Sequence, residues 1–308
     1  DDGSISTFTT TDPGTGAQDF IYTGNGSDII AGGDGDDTIS SGAGNDIVLG
    51  DNGEAQFDST GILLSITTTD NDTGDTDTIT TGDGNDIAFG GFGTDFINVD
   101  KNNNNNTYAD DGNDILVGDN GVARFMTRDD QDVLTNNANT ITTTAGEGGK
   151  DLIHSTEGQD ILIGGKDNDN LTTGTDHQRD IVIGDLATLT FSTSNQGRFD
   201  TTKLINASSD ISNYDNHGKD VITTGPANDV ILGGAKDDTI NAGNGDNVIL
   251  GDDGRIEIDS QQVLRTITST GSLSVGTNTD IITTGDGHDT LLGGYGTDTI
   301  NSGAGIDI

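Results

Sequence analysis

Along most of the chain, apolar runs of no more than about four residues alternate with stretches of glycine, aspartate, asparagine and threonine. Ile29-Ile30-Ala31 and Ile47-Val48-Leu49 are typical runs. Short β-branched runs bounded by glycine predict strands of about three residues joined by sharp turns. The runs recur with a fixed step. TGNGSDIIA (23–31), GGDGDDTIS (32–40), SGAGNDIVL (41–49), TGDGNDIAF (81–89), GGFGTDFIN (90–98), TGDGHDTLL (284–292) and GGYGTDTIN (293–301) share the form x-G-x-G-x-D-x-U-x, where U is a large aliphatic. The glycines permit left-handed backbone angles, so the chain can turn sharply before each strand. Two nonapeptides then make one coil of about 18 residues, coils stack in parallel at about 4.8 Å, and the eighth-position side chains point inward. The expected fold is an all-β, right-handed parallel β-roll or β-solenoid.

The sixth position carries aspartate at Asp19, Asp28, Asp37, Asp46, Asp77, Asp86, Asp95, Asp114, Asp151, Asp160, Asp169, Asp180, Asp220, Asp229, Asp238, Asp280, Asp289, Asp298 and Asp307, with Asn247 as the exception. The nine-residue step is imperfect twice within the runs: ten extra residues, including Asn102 to Asn106, precede Asp114, and two precede Asp180. The asparagine run is expected to be a mobile surface loop. A longer period lies over the first. Gly50, Gly118, Gly184 and Gly251, spaced by 68, 66 and 67 residues, open VLGDNGEAQF-like segments whose sixth position is apolar, at Ala55, Ala123, Leu189 and Ile256. The Asp-Asn-Gly and Asp-Asp-Gly triplets at 51–53, 119–121 and 252–254 could be hairpin turns, but Gly-x-x-Gly-x-U-x-U fits the register of a fifth solenoid turn, which is the favoured expectation. Asp51, Asp119, Asp185 and Asp252 then become auxiliary cation ligands. A polar insertion and a threonine-rich strand such as LLSITTT complete each unit. The organisation expected is one continuous solenoid over 1–308, with units at 1–71, 72–145, 146–214, 215–274 and a truncated 275–308, cut from a longer chain.

Charge changes the picture. Twelve basic against 53 acidic side chains give −41 over 308 residues, with 48 glycines and no cysteine. Such a chain repels nucleic acid and anionic membranes, no apolar run is long enough to span a bilayer, and thiolate chemistry is absent. His154, His177, His217 and His288 show no metal or catalytic spacing, and H-E-x-x-H, G-x-S-x-G and P-loop motifs are missing, so catalysis is not expected. Stacking puts Asp28 and Asp46, 18 residues apart, on one edge. Two carboxylates about 5 Å apart repel by roughly 1 kcal/mol in water and several times more near a protein surface. A hard divalent cation between turns reverses that sign. Calcium accepts six to eight oxygens at about 2.3–2.6 Å, which aspartates and glycine-turn carbonyls can supply, whereas magnesium demands a tighter octahedron.

These nonapeptides resemble the hemolysin-type calcium-binding repeat of the RTX family over most of the chain. GGDGDDTIS, GGFGTDFIN and GGYGTDTIN match every fixed position. The resemblance implies a parallel β-roll with calcium ions between turns, type I secretion, and folding on meeting calcium outside the cell. Lys236 and Asp167 stand where turn glycines belong and Asn247 replaces an aspartate, so weaker or altered sites are expected there. The leading expectation is a calcium-stapled region of a large extracellular bacterial adhesin, surface fibre or surface layer, with self-association of such rods. One alternative is the secretion tail of a protease or lipase. Another is a scaffold presenting recognition loops at 58–71, 99–108, 126–145 and 192–214, and the Ile-Thr-Thr repeats bring in ice binding.

Overall fold

The computed structural model describes residues 5–108, 110–125, 138–144, 148–192, 204–209, 217–259, 261–270 and 278–308. All regular structure among them is β. Three long sheets run side by side through the whole chain. Two are parallel, with ten and nine strands, and take alternate nonapeptides. Thr38–Ala43 pairs with Thr78–Asp83 in the first, and Ile47–Leu49 pairs with Ile87–Phe89 in the second.

Between the two parallel sheets lies a ladder of eighth-position side chains, among them Ile39, Val48, Ile79, Leu116, Ile153, Leu162, Ile222 and Ile249, all buried. This is the slim core of a β-roll. The nine-stranded parallel sheet buries its other face too. Its seventh- and ninth-position residues, such as Ile47, Leu49, Phe89, Val117, Ile163 and Leu232, form a second cluster. A sheet covered on both sides reads as a continuous apolar run, hence IVL, ILV and VIL on these strands. Over most of its length the ten-stranded sheet is covered on one side only; strands such as TIS, TIT and TIN put polar side chains on the outer face, and Phe20, Val221 and Ile281 are exposed there.

The third sheet supplies the second cover, and it corrects the expected fifth turn. Gly53–Phe57, Gly121–Arg124, Ala187–Ser192 and Gly254–Ile258 are not solenoid strands. Each pairs antiparallel with the strand that follows it, threonine-rich in three of the four: Leu63–Thr68, Ala138–Thr143, Leu204–Ser209 (LINASS) and Leu264–Ser269. Successive hairpins also pair with one another, giving one nine-stranded sheet. The cause is the alternation U-x-U. Ala55, Ala123, Leu189 and Ile256, with their partners Ile66, Ile141 and Ala207, are fully buried on one face against the parallel sheet. A segment with period two makes a longer strand than a nonapeptide can. The Asp-Asn-Gly triplets are not the hairpin turns either. The first hairpin reverses at Asp58, whose Oδ1 accepts the N–H of Thr60 and of Ile62 at 2.7 and 2.9 Å. The last reverses at Asp259 in the same way, with Gln261 and Val263.

Each full unit therefore adds two coils to the roll and two strands to the antiparallel sheet. The asparagine run is also corrected: Asn103–Thr107 is a strand antiparallel to Val99–Asp100, entered through an Asx turn in which Asp100 Oδ1 accepts the Asn102 N–H at 2.8 Å. Of the expected recognition loops, 126–137, 145, 193–203 and 210–214 lie outside the described residues. Among the described residues, no helix is long and apolar enough to cross a membrane.

Candidate metal centres

The sixth-position residues fall into two unbroken files, one along each edge of the roll. On the first edge the main-chain N–H of each aspartate donates to Oδ1 of the aspartate one coil on, through Asp19, Asp37, Asp77, Asp95, Asp151, Asp169, Asp220, Asp238, Asp280 and Asp298, at 2.7–3.1 Å. On the second edge the same bond links Asp28, Asp46, Asp86, Asp114, Asp160, Asp180, Asp229, Asn247, Asp289 and Asp307 at 2.7–3.2 Å. The insertions are looped out between rungs, so the files cross from one long unit to the next without a gap.

Turn geometry explains why glycine precedes each rung. At Gly84 φ is +141° and a Cβ would stand 1.6 Å from the Gly44 carbonyl oxygen of the previous coil, so no side chain fits. On the first edge the corner glycines do something further. A Cβ at Gly32, Gly50, Gly90, Gly118, Gly164, Gly184, Gly233 or Gly251 would lie 2.1–2.6 Å from Oδ2 of a first-edge aspartate and 2.2–2.6 Å from a glycine carbonyl oxygen of the next coil. Carboxylate and carbonyl oxygens thus converge on each corner.

Those carboxylates lack enough partners. Oδ2 of Asp37, Asp77, Asp95, Asp151, Asp169, Asp220, Asp238 and Asp280 is buried without a hydrogen bond, and so is Oδ2 of Asp46, Asp86, Asp114 and Asp229 on the second edge. Buried polar atoms in folded proteins are normally paired, so a run of bare anionic oxygens calls for a cation. Burial, with neighbouring carboxylates adding to it, pushes Asp77 up to about 9, Asp180 to about 9 and Asp114 to about 10, and drives Asp95, Asp151, Asp169 and Asp238 well above the usual range. Protons or metal ions must neutralise the files. The donor set, all hard oxygen, fits calcium.

Asn247 shows what a neutral rung does. Its Oδ1 accepts the Asp229 N–H, and its Nδ2 donates to the carbonyls of Gly245 and Ala242 at 3.2 and 3.4 Å. The amide itself serves oxygens that a cation would otherwise meet. Lys236 and Asp167 adopt left-handed backbone (φ +80° and +71°) in the glycine slots, and Lys236 Nζ donates to the His217 carbonyl.

Asp51, Asp119, Asp185 and Asp252 are buried where the chain leaves the roll for each hairpin. In each, Oδ2 accepts the N–H of the third residue of a later Gly-Gly-x turn: Phe92, Lys166, Ala235 and Tyr295. They pin the turn beneath which the insertion departs. Asp185 has one more partner that spacing could not show. His217 Nδ1 lies 2.7 Å from Asp185 Oδ2 and 3.7 Å from Asp253 Oδ1, all three residues being buried. Asp110 was also missed. It stands at the second nonapeptide position, a glycine in most units, and it lies buried beside Asp86 and Asp114.

Comparison with known proteins agrees with this chemistry. The family profile of the RTX calcium-binding nonapeptide repeat matches residues 13–54, 71–105, 108–122, 136–177, 218–255 and 275–308, well over half of the chain. No curated protein matches the chain significantly. With two files of turn aspartates, glycine corners open to both carboxylate and carbonyl oxygens, and that profile match, the chain belongs to the RTX calcium-binding repeat family.

Proposed function

We propose that this chain is a calcium-stapled structural region of an extracellular bacterial surface protein, an adhesin, fibre or surface layer, which folds and stiffens on meeting calcium outside the cell. The observation that carries the reading is the run of eight bare, buried Oδ2 atoms along the first edge. Without cations this stack of carboxylates resists closure; with them it becomes the strongest link between coils. Calcium, when bound, supplies positive charge and a flexible shell of six to eight oxygens between successive turns. First-edge aspartates and the corner-glycine carbonyls are the ligands on one side, and the second-edge aspartates are those on the other. Asp51, Asp119, Asp185 and Asp252 hold their turns in place. The repeated long unit, rather than a single short roll, favours a rod that acts as one body, and rods of this kind can self-associate into fibres or layers.

Ligand binding to the folded state alone is folding free energy. In chelator the chain is expected to be expanded and poor in sheet, and added calcium should bring sheet and compaction together. Circular dichroism with small-angle scattering reads both. Equal sheet content with and without chelator would defeat the proposal.

A further inference from the structure

Among the described residues, one place on the second edge brings three buried carboxylates together rather than two. After Asn98, a buried residue with left-handed backbone (φ +57°), the chain makes the excursion containing Asn103–Thr107 and returns with the Tyr108 N–H donating to the Asn98 carbonyl at 3.0 Å. Gly84 N–H then donates to the Asp111 carbonyl just as Gly44 N–H donates to that of Asp83. That register puts Asp110 level with the turn glycines Gly42 and Gly82 of the two preceding coils. A carboxylate has replaced a glycine at the corner.

The Asp110 side chain is built into this position. Its Oδ2 accepts the Asn98 Nδ2 at 2.6 Å, and Asn98 is itself held by Thr81, whose N–H and Oγ1 both meet Asn98 Oδ1. Oδ1 of Asp110 is buried with no hydrogen-bond partner, as are Oδ2 of Asp86 and Oδ2 of Asp114. The three residues are 0%, 0% and 1% exposed, and one oxygen from each lies within 4.8 Å of the other two. Two calcium–oxygen bonds end to end reach about 4.6–5.2 Å, so one calcium can bond all three oxygens. Magnesium demands a near-ideal octahedron at about 2.0–2.1 Å and keeps its waters, so a site built only of protein oxygens suits it less.

We propose that Asp86, Asp110 and Asp114 together bind one hard cation, calcium in the native setting, and that this site fills at lower free calcium than the two-carboxylate steps. The inference rests on the calcium reading above and adds a ligand, a location and an order of filling. Ligand charge and site rigidity set calcium affinity, and this site has more of both. An early ion here would fix the third and fourth coils to each other before the remaining steps fill.

Trivalent lanthanides share calcium's oxygen preference and gain more from a third carboxylate. The calcium-loaded, folded chain is titrated with terbium while released calcium is counted. The wild type should show a first class of about one terbium per chain, bound at least about tenfold more tightly than the rest. Asp110→Asn should abolish that class while keeping the calcium-induced sheet signal. Asp111→Asn, which removes the same charge from the exposed neighbour, should retain it. If Asp110→Asn does not fold, the anomalous signal from a wild-type crystal carrying one equivalent of terbium decides, and it should peak among the three carboxylates. A uniform terbium isotherm, a first class that survives Asp110→Asn, or a peak elsewhere overturns the site and leaves the calcium reading standing. A wild type that takes up no calcium defeats that reading instead.

Discussion

The main-chain N–H of Asp95 donates to Oδ1 of Asp151 at 2.7 Å, although 56 residues separate them. Between them the chain makes the excursion through Asn103–Thr107, a second-edge rung at Asp114, and a complete hairpin through Gly121–Arg124 and Ala138–Thr143. The cost of closing a loop grows only with the logarithm of its length, so the file tolerates insertions provided that the chain returns at the same corner. What matters is the rung.

Equal charge should therefore have unequal effects. Asp37 Oδ1 accepts the Asp19 N–H, and Asp37 N–H donates to Asp77. Asp37→Ala leaves the Asp19 amide unpaired and removes a cation ligand, and loss of a hydrogen bond to a charged group alone costs about 1.5–3 kcal/mol. Asp58 only caps an exposed hairpin tip. Calcium titrations followed by circular dichroism should show a clearly higher folding midpoint for Asp37→Ala and little change for Asp58→Ala. Coincident curves would mean that diffuse charge, not a specific edge, governs folding.

Corner glycines admit a similar comparison. A Cβ at Gly90 would stand 2.2 Å from the Gly118 carbonyl oxygen and 2.4 Å from Asp95 Oδ2, whereas one at Gly61 meets nothing within 4 Å. Gly90→Ala is expected to cost about 3 kcal/mol or more through overpacking. Gly61→Ala, at φ +83°, should show only backbone strain of about 1–2 kcal/mol. Denaturant unfolding in saturating calcium measures both, and similar losses would mean that the corners are looser than their geometry indicates.

Asn247→Asp restores a charged rung. It exchanges the amide's donation to Gly245 and Ala242 for a second anionic oxygen facing the corner. Calcium capacity should rise by about one ion per chain, and the metal-free chain should become harder to fold. Equilibrium dialysis would settle the count, and an unchanged capacity would show that this corner takes no ion whatever its side chain.

Acid should partly replace calcium. Burial raises Asp37 to about 6, Asp86 to about 7, Asp160 to about 8 and Asp77 to about 9, from an ordinary 3.8. Between 3.8 and those values the cation-free fold binds more protons than the unfolded chain. Its stability is thus greatest near the ordinary carboxylate pKa and falls as pH rises through about 6 to 9. In chelator, sheet signal should grow on acidification from about pH 8 to about pH 5. With calcium present the same change should raise the calcium midpoint, because protons compete for the ligands. A cation-free chain whose sheet content is constant over that range would argue against carboxylate repulsion as the barrier.

Much of this was legible in the residues. The nine-residue step of aspartates gives both files, because a two-nonapeptide coil brings every second aspartate to the same edge. The bridges from Asp37 to Asp77 and from Asp180 to Asp229 span insertions, and linear spacing carries no trace of where such a loop returns. The third sheet was misread although its signal was present. Alternate nonapeptides end in IVL-type and TIS-type strands, the mark of one sheet covered on both faces and one covered on a single face. That second cover had to come from somewhere, and the Ala55–Ile66 strand pair supplies it. The Asp185–His217 contact spans 32 residues and depends on a returning loop, so no local pattern could reveal it.

Because each unit contributes two coils and a two-stranded hairpin, the three sheets advance in step. Strands in any sheet sit about 4.8 Å apart, so two coils and two hairpin strands cover the same axial distance. The layers are commensurate, and no offset accumulates however many units follow. The hairpin-bearing segments vary in length, 31 residues from Asp46 to Asp77, 37 from Asp114 to Asp151 and 40 from Asp180 to Asp220, without disturbing that match. Removing a whole unit shortens the rod by one pitch and preserves every facing pair. Removing a single coil shifts roll against hairpins by about 4.8 Å, one strand out of phase for the rest of the chain. Length in such a chain is therefore counted in whole units.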